Sequence, residues 1–230
     1  MPIFRLPKEH YFPPVELAEP NGLLAIGGDL SLHRLITAYR YGIFPWYSEG
    51  EPLLWWSPDP RMVLKPEWFH LPKSLKKTLR QGRFRLTLDA AFPEVIQACG
   101  EVREEKGTWI TREMVEAYVR LHAIGFAHSA EAWSLDPPSP PQLAGGVYGV
   151  AIGGCFFGES MFFRAADASK CAFAFLMETL QQKGFTLIDC QMHTPHLARF
   201  GAREIPRRNF LADLKKGLMQ PILQESWKTA

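Results

Sequence analysis

Two polar side chains interrupt an apolar run near the end of the chain, where residues 186–191 read TLIDCQ. On a strand, Asp189 and Gln191 stand at i and i+2 and project from one face. Polar groups on a buried strand are costly unless hydrogen-bonded. They therefore either satisfy loop backbone or face a reaction site. In the second case Asp189 acts as a base or orients Gln191, whose amide offers an acceptor and two donors. Glu159, in the run GESMFF at 158–163, is equally out of place among Cys155, Phe156, Phe157, Met161, Phe162 and Phe163. Without a partner its pKa would rise; Arg164 is a nearby cation that could pair with it instead. Strict alternation puts Glu159 with Phe157 and Met161, opposite Phe156, and a bulge at Gly158 would change that. The four cysteines, at 99, 155, 171 and 190, form no CxxC pair, and no His/Cys cluster has zinc spacing. They read as reduced thiols of a cytosolic protein. No metal is expected.

Charge is uneven. Residues 1–60 carry 4 basic and 7 acidic side chains, whereas the remainder carries 22 and 17. Lys73, Lys76, Lys77, Arg80, Arg83 and Arg85 fall within 13 residues that contain no acid. The first four stand at i, i+3, i+4 and i+7, one stripe of a helix. Such a stripe is either a solvated face or a track for a phosphate backbone. The start of the chain lacks the apolar run of a signal peptide. No stretch approaches the ~18 apolar residues of a membrane span, so none is expected.

These residues need elements to hold them. Turn chemistry at Pro13-Pro14, Asn21-Gly22 and Gly27-Gly28-Asp29 makes the first part loop-rich. A helix opens at Ser31 and stops at Gly42. Pro45, Pro52, Pro58 and Pro60, with Trp46, Tyr47, Trp55 and Trp56 between them, then exclude a long helix. The expectation is a small N-terminal lobe over 1–60 and a larger part over 61–230. In the larger part a basic helix covers 73–80 and a strand 83–88. Asp89 caps a helix to Cys99, and Thr111 opens another to Ile124. Strands follow at 126–135, 143–152 and 154–163, with a proline-rich hairpin tip at 137–141. A helix runs over 168–183, then the strand 186–191, then basic helices. The class is α+β, and this order is that of an N-acetyltransferase-like (GNAT-type) mixed sheet. Coenzyme A-dependent members of that architecture place a glycine-rich turn before the central helix to hold the pyrophosphate at its N-terminus. Here residues 164–170 read RAADASK, without glycine and with an acid where the diphosphate would approach. No coenzyme A and no other cofactor is expected. The acyl donor is expected on another carrier, and the basic stripe points to RNA.

Longer segments carry a resemblance. PNGLLAIGGDLS (20–31), YGIFPWYS (41–48), LLWWSPDPR (53–61), EEKGTWITREMVEAYVRLH (104–122), GGVYGVAIG (145–153), FGESMFFRAADASK (157–170), LIDCQ (187–191) and FGAREIPRRNF (200–210) span most of the chain. With them the sequence resembles the bacterial leucyl/phenylalanyl-tRNA–protein transferases. The resemblance implies a small N-terminal domain and an acetyltransferase-like C-terminal domain. It implies transfer of Leu, Phe and, less well, Met from aminoacyl-tRNA to proteins with N-terminal Arg or Lys, marking them for degradation in the cytoplasm. It implies Asp189 and Gln191 as the catalytic pair and Glu159 as a substrate-binding glutamate. Trp46 and Trp109 match tryptophans of the aminoacyl-adenosine site. Phe156 and Met161 are expected in the side-chain pocket. Lys73, Lys76, Lys77, Arg80 and Arg83 correspond to the tRNA-binding region. A monomer with no membrane partner is expected.

The reaction so implied is aminolysis of an ester by an α-amine, which must be neutral to attack. Gln191 would orient the amine through its carbonyl oxygen, with Asp189 or the leaving ribose oxygen taking the proton. Positioning can supply up to ~7–11 kcal/mol of the barrier. Glu159 would meet either the acceptor's cationic side chain or the ribose. Two other readings stay open at this point: a non-catalytic RNA-binding module, which needs neither Asp189 nor Gln191, and a coenzyme A-dependent acetyltransferase.

Overall fold

The computed structural model describes residues 3–9, 11–102, 108–135, 141–221 and 225–228. The first four residues of the EEKGTW motif and positions 137–140 of the hairpin tip lie outside the described residues. Two mixed sheets and seven helices are found among the described residues. The chain is therefore a mixed α/β protein.

The first sheet is built from β1 (Phe4–Leu6), β2 (Leu23–Gly27), β3 (Phe44–Pro45) and β4 (Leu54–Trp56), in the order β1-β2-β4-β3. Helix α1 (Leu32–Arg40) packs beside it and is capped by Ser31, whose hydroxyl accepts the Arg34 N–H at 3.4 Å. The prolines expected to break this region do so, and short strands fill the gaps between them.

The second sheet holds the remaining strands in the order β11-β5-β10-β9-β8-β7-β6. These are β5 (Arg61–Leu64), β6 (Phe84–Leu88), β7 (Ala127–Ser134), β8 (Gln142–Ile152), β9 (Cys155–Phe163), β10 (Leu187–Asp189) and β11 (Arg203–Ile205). Strands β6 to β9 form an antiparallel run; helix α5 (Ala168–Gln182) follows, and β10 then pairs with β9 in parallel. On its other edge β10 meets β5 antiparallel. Helices α3 (Phe92–Glu101) and α4 (Arg112–Ala123) pack on one face of the sheet. Helices α5 and α2 (Lys73–Arg80) pack on the other. Short α6 (Pro195–Ala198) and α7 (Arg207–Leu218) close the chain.

Two local readings of the sequence are corrected. Asp89 is not a helix cap: α3 starts after Ala91, which makes no side-chain cap bond. The Asp89 carboxylate instead accepts from His128 Nδ1, the Ser129 N–H and the Trp227 N–H at 2.8–2.9 Å. Asp189 and Gln191 do not share a strand face. Strand β10 ends at Asp189, and Gln191 has φ of +57°.

One irregularity in the sheet positions the site. Opposite β8, Tyr148 faces Ser160 and Gly149 faces Gly158, so Glu159 is the extra residue of a β-bulge. A regular strand would put Phe156 and Met161 on opposite faces. With one residue added, both line the same cleft. Gly149 makes room for this, since a Cβ there would lie 2.2 Å from the Phe157 carbonyl oxygen and 2.6 Å from the Phe156 ring.

Candidate active site

A cleft of about 420 Å³ opens where the first sheet meets the β9–β10 seam of the second. That volume suits a small organic group. Trp46, Trp109, Phe156, Glu159, Met161 and Gln191 all line it, together with Phe44, Ile188 and Phe173. Six of the seven residues singled out for catalysis or substrate contact in the sequence are thus brought together. The seventh, Asp189, is 1% exposed and does not reach the cleft.

The Asp189 carboxylate is fully engaged. Arg61 Nε donates to Oδ1 at 2.8 Å and Arg61 Nη2 to Oδ2 at 2.7 Å, a bidentate pair with both side chains 1% exposed. The Arg61 guanidinium lies between Phe44 and Phe210, at 4.9 and 4.6 Å from their ring centroids. Asp189 Oδ1 also accepts the Gln191 N–H at 2.9 Å. This bond holds a non-glycine residue in the left-handed region, a conformation that costs about 1–3 kcal/mol. Asp189 thus fixes where Gln191 starts, and its oxygens do not face a substrate.

Glu159 is the hub of the polar wall. Tyr39 Oη on α1 donates to Oε1 at 2.8 Å, and Tyr118 Oη on α4 donates to Oε2 at 3.2 Å. The two tyrosine hydroxyls also touch each other; with one proton each, they can bond each other and both Glu159 oxygens only when the carboxyl carries the third proton. Gln191 Nε2 donates to Glu159 Oε1 at 3.0 Å. Gln191 Oε1 is the amide's acceptor for a substrate, and Nε2 keeps a second N–H. Burial pushes the Glu159 carboxyl up to about 7, with the nearby Asp189 charge adding to the rise. The bonds from Tyr39, Tyr118 and Gln191 oppose it. Burial drives both tyrosines well above their ordinary value, so they remain donors.

The raised value has a consequence for stability. Glu159 goes from 4.5 in an unfolded chain to about 7 in the fold. The stability tied to its protonated form is complete below 4.5 and is lost as pH rises through 7. Glu159→Gln should therefore raise the melting temperature relative to the parent at pH 8, with the gain shrinking toward pH 4.5. Thermal unfolding of both proteins across that range checks this; a difference that does not vary with pH would contradict the raised value.

The apolar part of the cleft is formed by Phe156, Met161, Val147, Phe173 and Ile188. Its mouth carries Trp46, 36% exposed and edge-on to Trp56 at 5.6 Å, and Trp109 from the segment before α4. Lys73, Lys76, Lys77 and Arg80 on α2, and Arg83 just after it, are exposed and do not line the cleft. Between them and the cleft lies the β9–α5 connection. There Asp167 sits with φ of +66° at the start of α5 and binds Thr78 of α2 and Lys170. Arg164 pairs with Glu101 at 2.9 Å, so it is not the partner of Glu159.

Arg61, Tyr39 and Tyr118 were missed by reading the sequence. Tyr39 and Tyr118 occupy the apolar faces of their helices and look like core. The available signal was the hydroxyl itself, which a buried tyrosine must satisfy. Arg61 follows a strand-breaking SPDP run and starts a fully buried strand, and a buried arginine implies a buried acid.

The family model described as leucyl/phenylalanyl-tRNA protein transferase matches residues 63–215, and that described as its N-terminal domain matches residues 28–59. A leucyl/phenylalanyl-tRNA–protein transferase of Magnetococcus marinus is 59% identical over 230 residues, covering 100% of this chain and 98% of its own. One of Anaeromyxobacter dehalogenans is 57% identical, covering 99% and 97%. The solved structure of L-PGS from Bacillus licheniformis is similar over 84% of this chain and 63% of its own, at 10% identity and a TM-score of 0.41. Among the described residues no helix is long and apolar enough to cross a membrane.

Proposed function

Because the chain is an enzyme of the leucyl/phenylalanyl-tRNA–protein transferase family, we propose that its cleft joins leucine, phenylalanine and, less well, methionine from aminoacyl-tRNA to the N-terminal Arg or Lys of acceptor proteins. The product would be marked for degradation in the cytoplasm. The observation that carries the proposal is the pairing, in one cleft, of an apolar end with a polar wall. Phe156 and Met161 form the first, and Glu159 with Gln191 the second.

The substrate ester brings three parts. Its side chain fits the apolar end. Leu, Phe and Met are unbranched at Cβ, and a narrow slot rejects Ile and Val by clash. The terminal adenine stacks on Trp46 or Trp109 at the mouth, a contact worth about 1–3 kcal/mol. The tRNA backbone runs toward Lys73, Lys76, Lys77, Arg80 and Arg83, whose exposure supports phosphate contact.

In the reaction the acceptor's neutral α-amine attacks the ester carbonyl carbon. The C–N bond forms, the C–O bond to the ribose breaks, and the ribose oxygen leaves with the proton the amine gives up. Gln191 Oε1 accepts from the attacking amine and aims its lone pair. Glu159 holds Nε2 and so decides which end of the amide faces the substrate. Asp189 is a positioning residue, and the expectation that it takes the proton is withdrawn. Its oxygens are held by Arg61 and the Gln191 N–H and stand outside the cleft. Glu159, tied to two tyrosines and Gln191, is better placed to hold Gln191 than to meet the acceptor's cationic side chain.

The two-part organisation, 1–60 and 61–230, is part of the same reading. It is supported by the separation of the sheets, whose strands end at Trp56 and resume at Arg61. The acetyltransferase-like description of the larger part is supported by the antiparallel run, the helix and the parallel β10. Coenzyme A is disfavoured by the Asp167 carboxylate and the lack of glycine between β9 and α5. The test is a pair of assays on the purified protein. Labelled leucine should pass from leucyl-tRNA to an N-terminal Arg protein, and labelled isoleucine from isoleucyl-tRNA should not. Equal use of the two donors would remove the pocket argument.

A further inference from the structure

Behind the apolar end of the cleft stands a segment that no step above uses. Residues 225–228 run back over the α5 and α2 side of the second sheet, and Trp227 is 4% exposed. Its indole lies flat on the His128 ring, with centroids 3.7 Å apart and planes 4° from parallel. Phe185 meets it edge-on at 5.7 Å, and Phe156 leans against it at 6.3 Å. The backbone is pinned as well. The Trp227 N–H donates to Asp89 Oδ2 at 2.8 Å, and Glu225 pairs with Lys183 at 2.9 Å. Lys183 Nζ also sits 5.5 Å from the Trp227 ring.

Asp89 takes the left-handed φ of +53° at this anchor. Burial raises its carboxyl, but the bonds from His128, Ser129 and Trp227 outweigh that and leave it below its ordinary value. The anchor is thus an ionised carboxylate with three donors, a strong one.

Phe156 has the cleft on one side, Trp227 on another and the Gly149 backbone close against its ring. A close-packed interior leaves a ring no freedom while its neighbours are fixed. We infer that Trp227 is a specificity-determining residue: through Phe156 it sets the depth of the slot that receives the donor side chain. This rests on the reading of the cleft as the aminoacyl site. With Trp227 in place, Phe156 cannot retreat, and the slot takes a leucine side chain in full and the longer phenylalanine tightly. Without it, Phe156 can fall back into the vacated space, and longer side chains gain.

The test compares kcat/KM for leucyl-, phenylalanyl- and tryptophanyl-tRNA in the parent, Trp227→Ala and Trp227→Leu, with melting temperatures alongside. One methylene in an apolar pocket is worth roughly 10–200-fold in discrimination. On that scale Trp227→Ala should raise the phenylalanyl-to-leucyl ratio by about tenfold and bring tryptophanyl-tRNA into measurable use. Trp227→Leu keeps the backbone bond to Asp89 and much of the volume, so it should move the ratio the same way by less. It also serves if Trp227→Ala does not fold. If the donors fall together, leaving every ratio at the parent value, Trp227 only stabilises the fold and the inference is wrong. If the parent protein uses neither leucyl- nor phenylalanyl-tRNA, the aminoacyl reading of the cleft fails, and this inference with it.

Discussion

Arg61→Met should lower the unfolding free energy by about 3–5 kcal/mol, because it leaves the Asp189 carboxylate buried without its cation. The loss exceeds that of an ordinary surface ion pair, worth about 0–1 kcal/mol, since both partners are 1% exposed. The guanidinium also fills the space between Phe44 of the first sheet and Phe210 of α7, so the variant loosens the contact between them. Adding Asp189→Asn removes the stranded charge and should recover much of the stability. Transfer activity should not recover with it, because the neutral amide no longer pairs with a cation that fixes its orientation against the Gln191 N–H. Chemical denaturation and turnover of the single and double variants check both halves. A loss below 1 kcal/mol for Arg61→Met would mean that the pair is solvated.

Gln191→Ala should lower kcat by roughly 100-fold and leave KM for aminoacyl-tRNA nearly unchanged. Misplacing a reactant by about 1 Å costs an enzyme on that order. The side chain lines the cleft, and the proposed donor contacts are with Phe156, Met161, Trp46 and Trp109 in the same cleft. Gln191→Glu should be no better than Ala: two carboxylates at 3.0 Å would repel, raising the pKa of one of them further. A rise in KM with kcat preserved would instead make Gln191 a donor-binding residue.

The protonation of Glu159 gives these effects a pH dependence with a defined sign. Its carboxyl accepts from Gln191 Nε2 most strongly when ionised, and the acceptor amine must be neutral. Both conditions improve as pH rises through about 7. Stability and activity therefore respond to this group in opposite directions, as expected where a buried acid is kept for chemistry.

Much of this arrangement can be read from the sequence, and the parts that cannot share a cause. Helix α2, helix α5 and the strands β7 to β9 follow from periodicity and glycine stops, which are local signals. The polar residues of the cleft stand out because each interrupts an apolar run. Periodicity reports which face a residue takes, and it fails where the backbone leaves the regular pattern. Gln191 leaves its strand by adopting a left-handed turn, and Glu159 shifts the parity of β9 by being the bulge. The bulge has a sequence counterpart in Gly149, but on a different strand. Partners remote in the chain are not legible at all. Arg61 and Asp189 are 128 residues apart, Tyr39 and Glu159 are 120 apart, and Asp89 and Trp227 are 138 apart. Asp89 was misread because an acid before a helix is most often a cap; here three distant donors compete for it and win.

The central claim is that peptide-bond formation takes place against Gln191 in this cleft. It is tested most directly by following labelled leucine from leucyl-tRNA into a protein with N-terminal arginine, using the parent and Gln191→Ala, with leucyl-tRNA binding measured on the same samples. The account predicts transfer by the parent, a loss of roughly 100-fold in the variant, and unchanged tRNA affinity. Transfer by Gln191→Ala at the parent's rate, with leucyl-tRNA saturating, would contradict it.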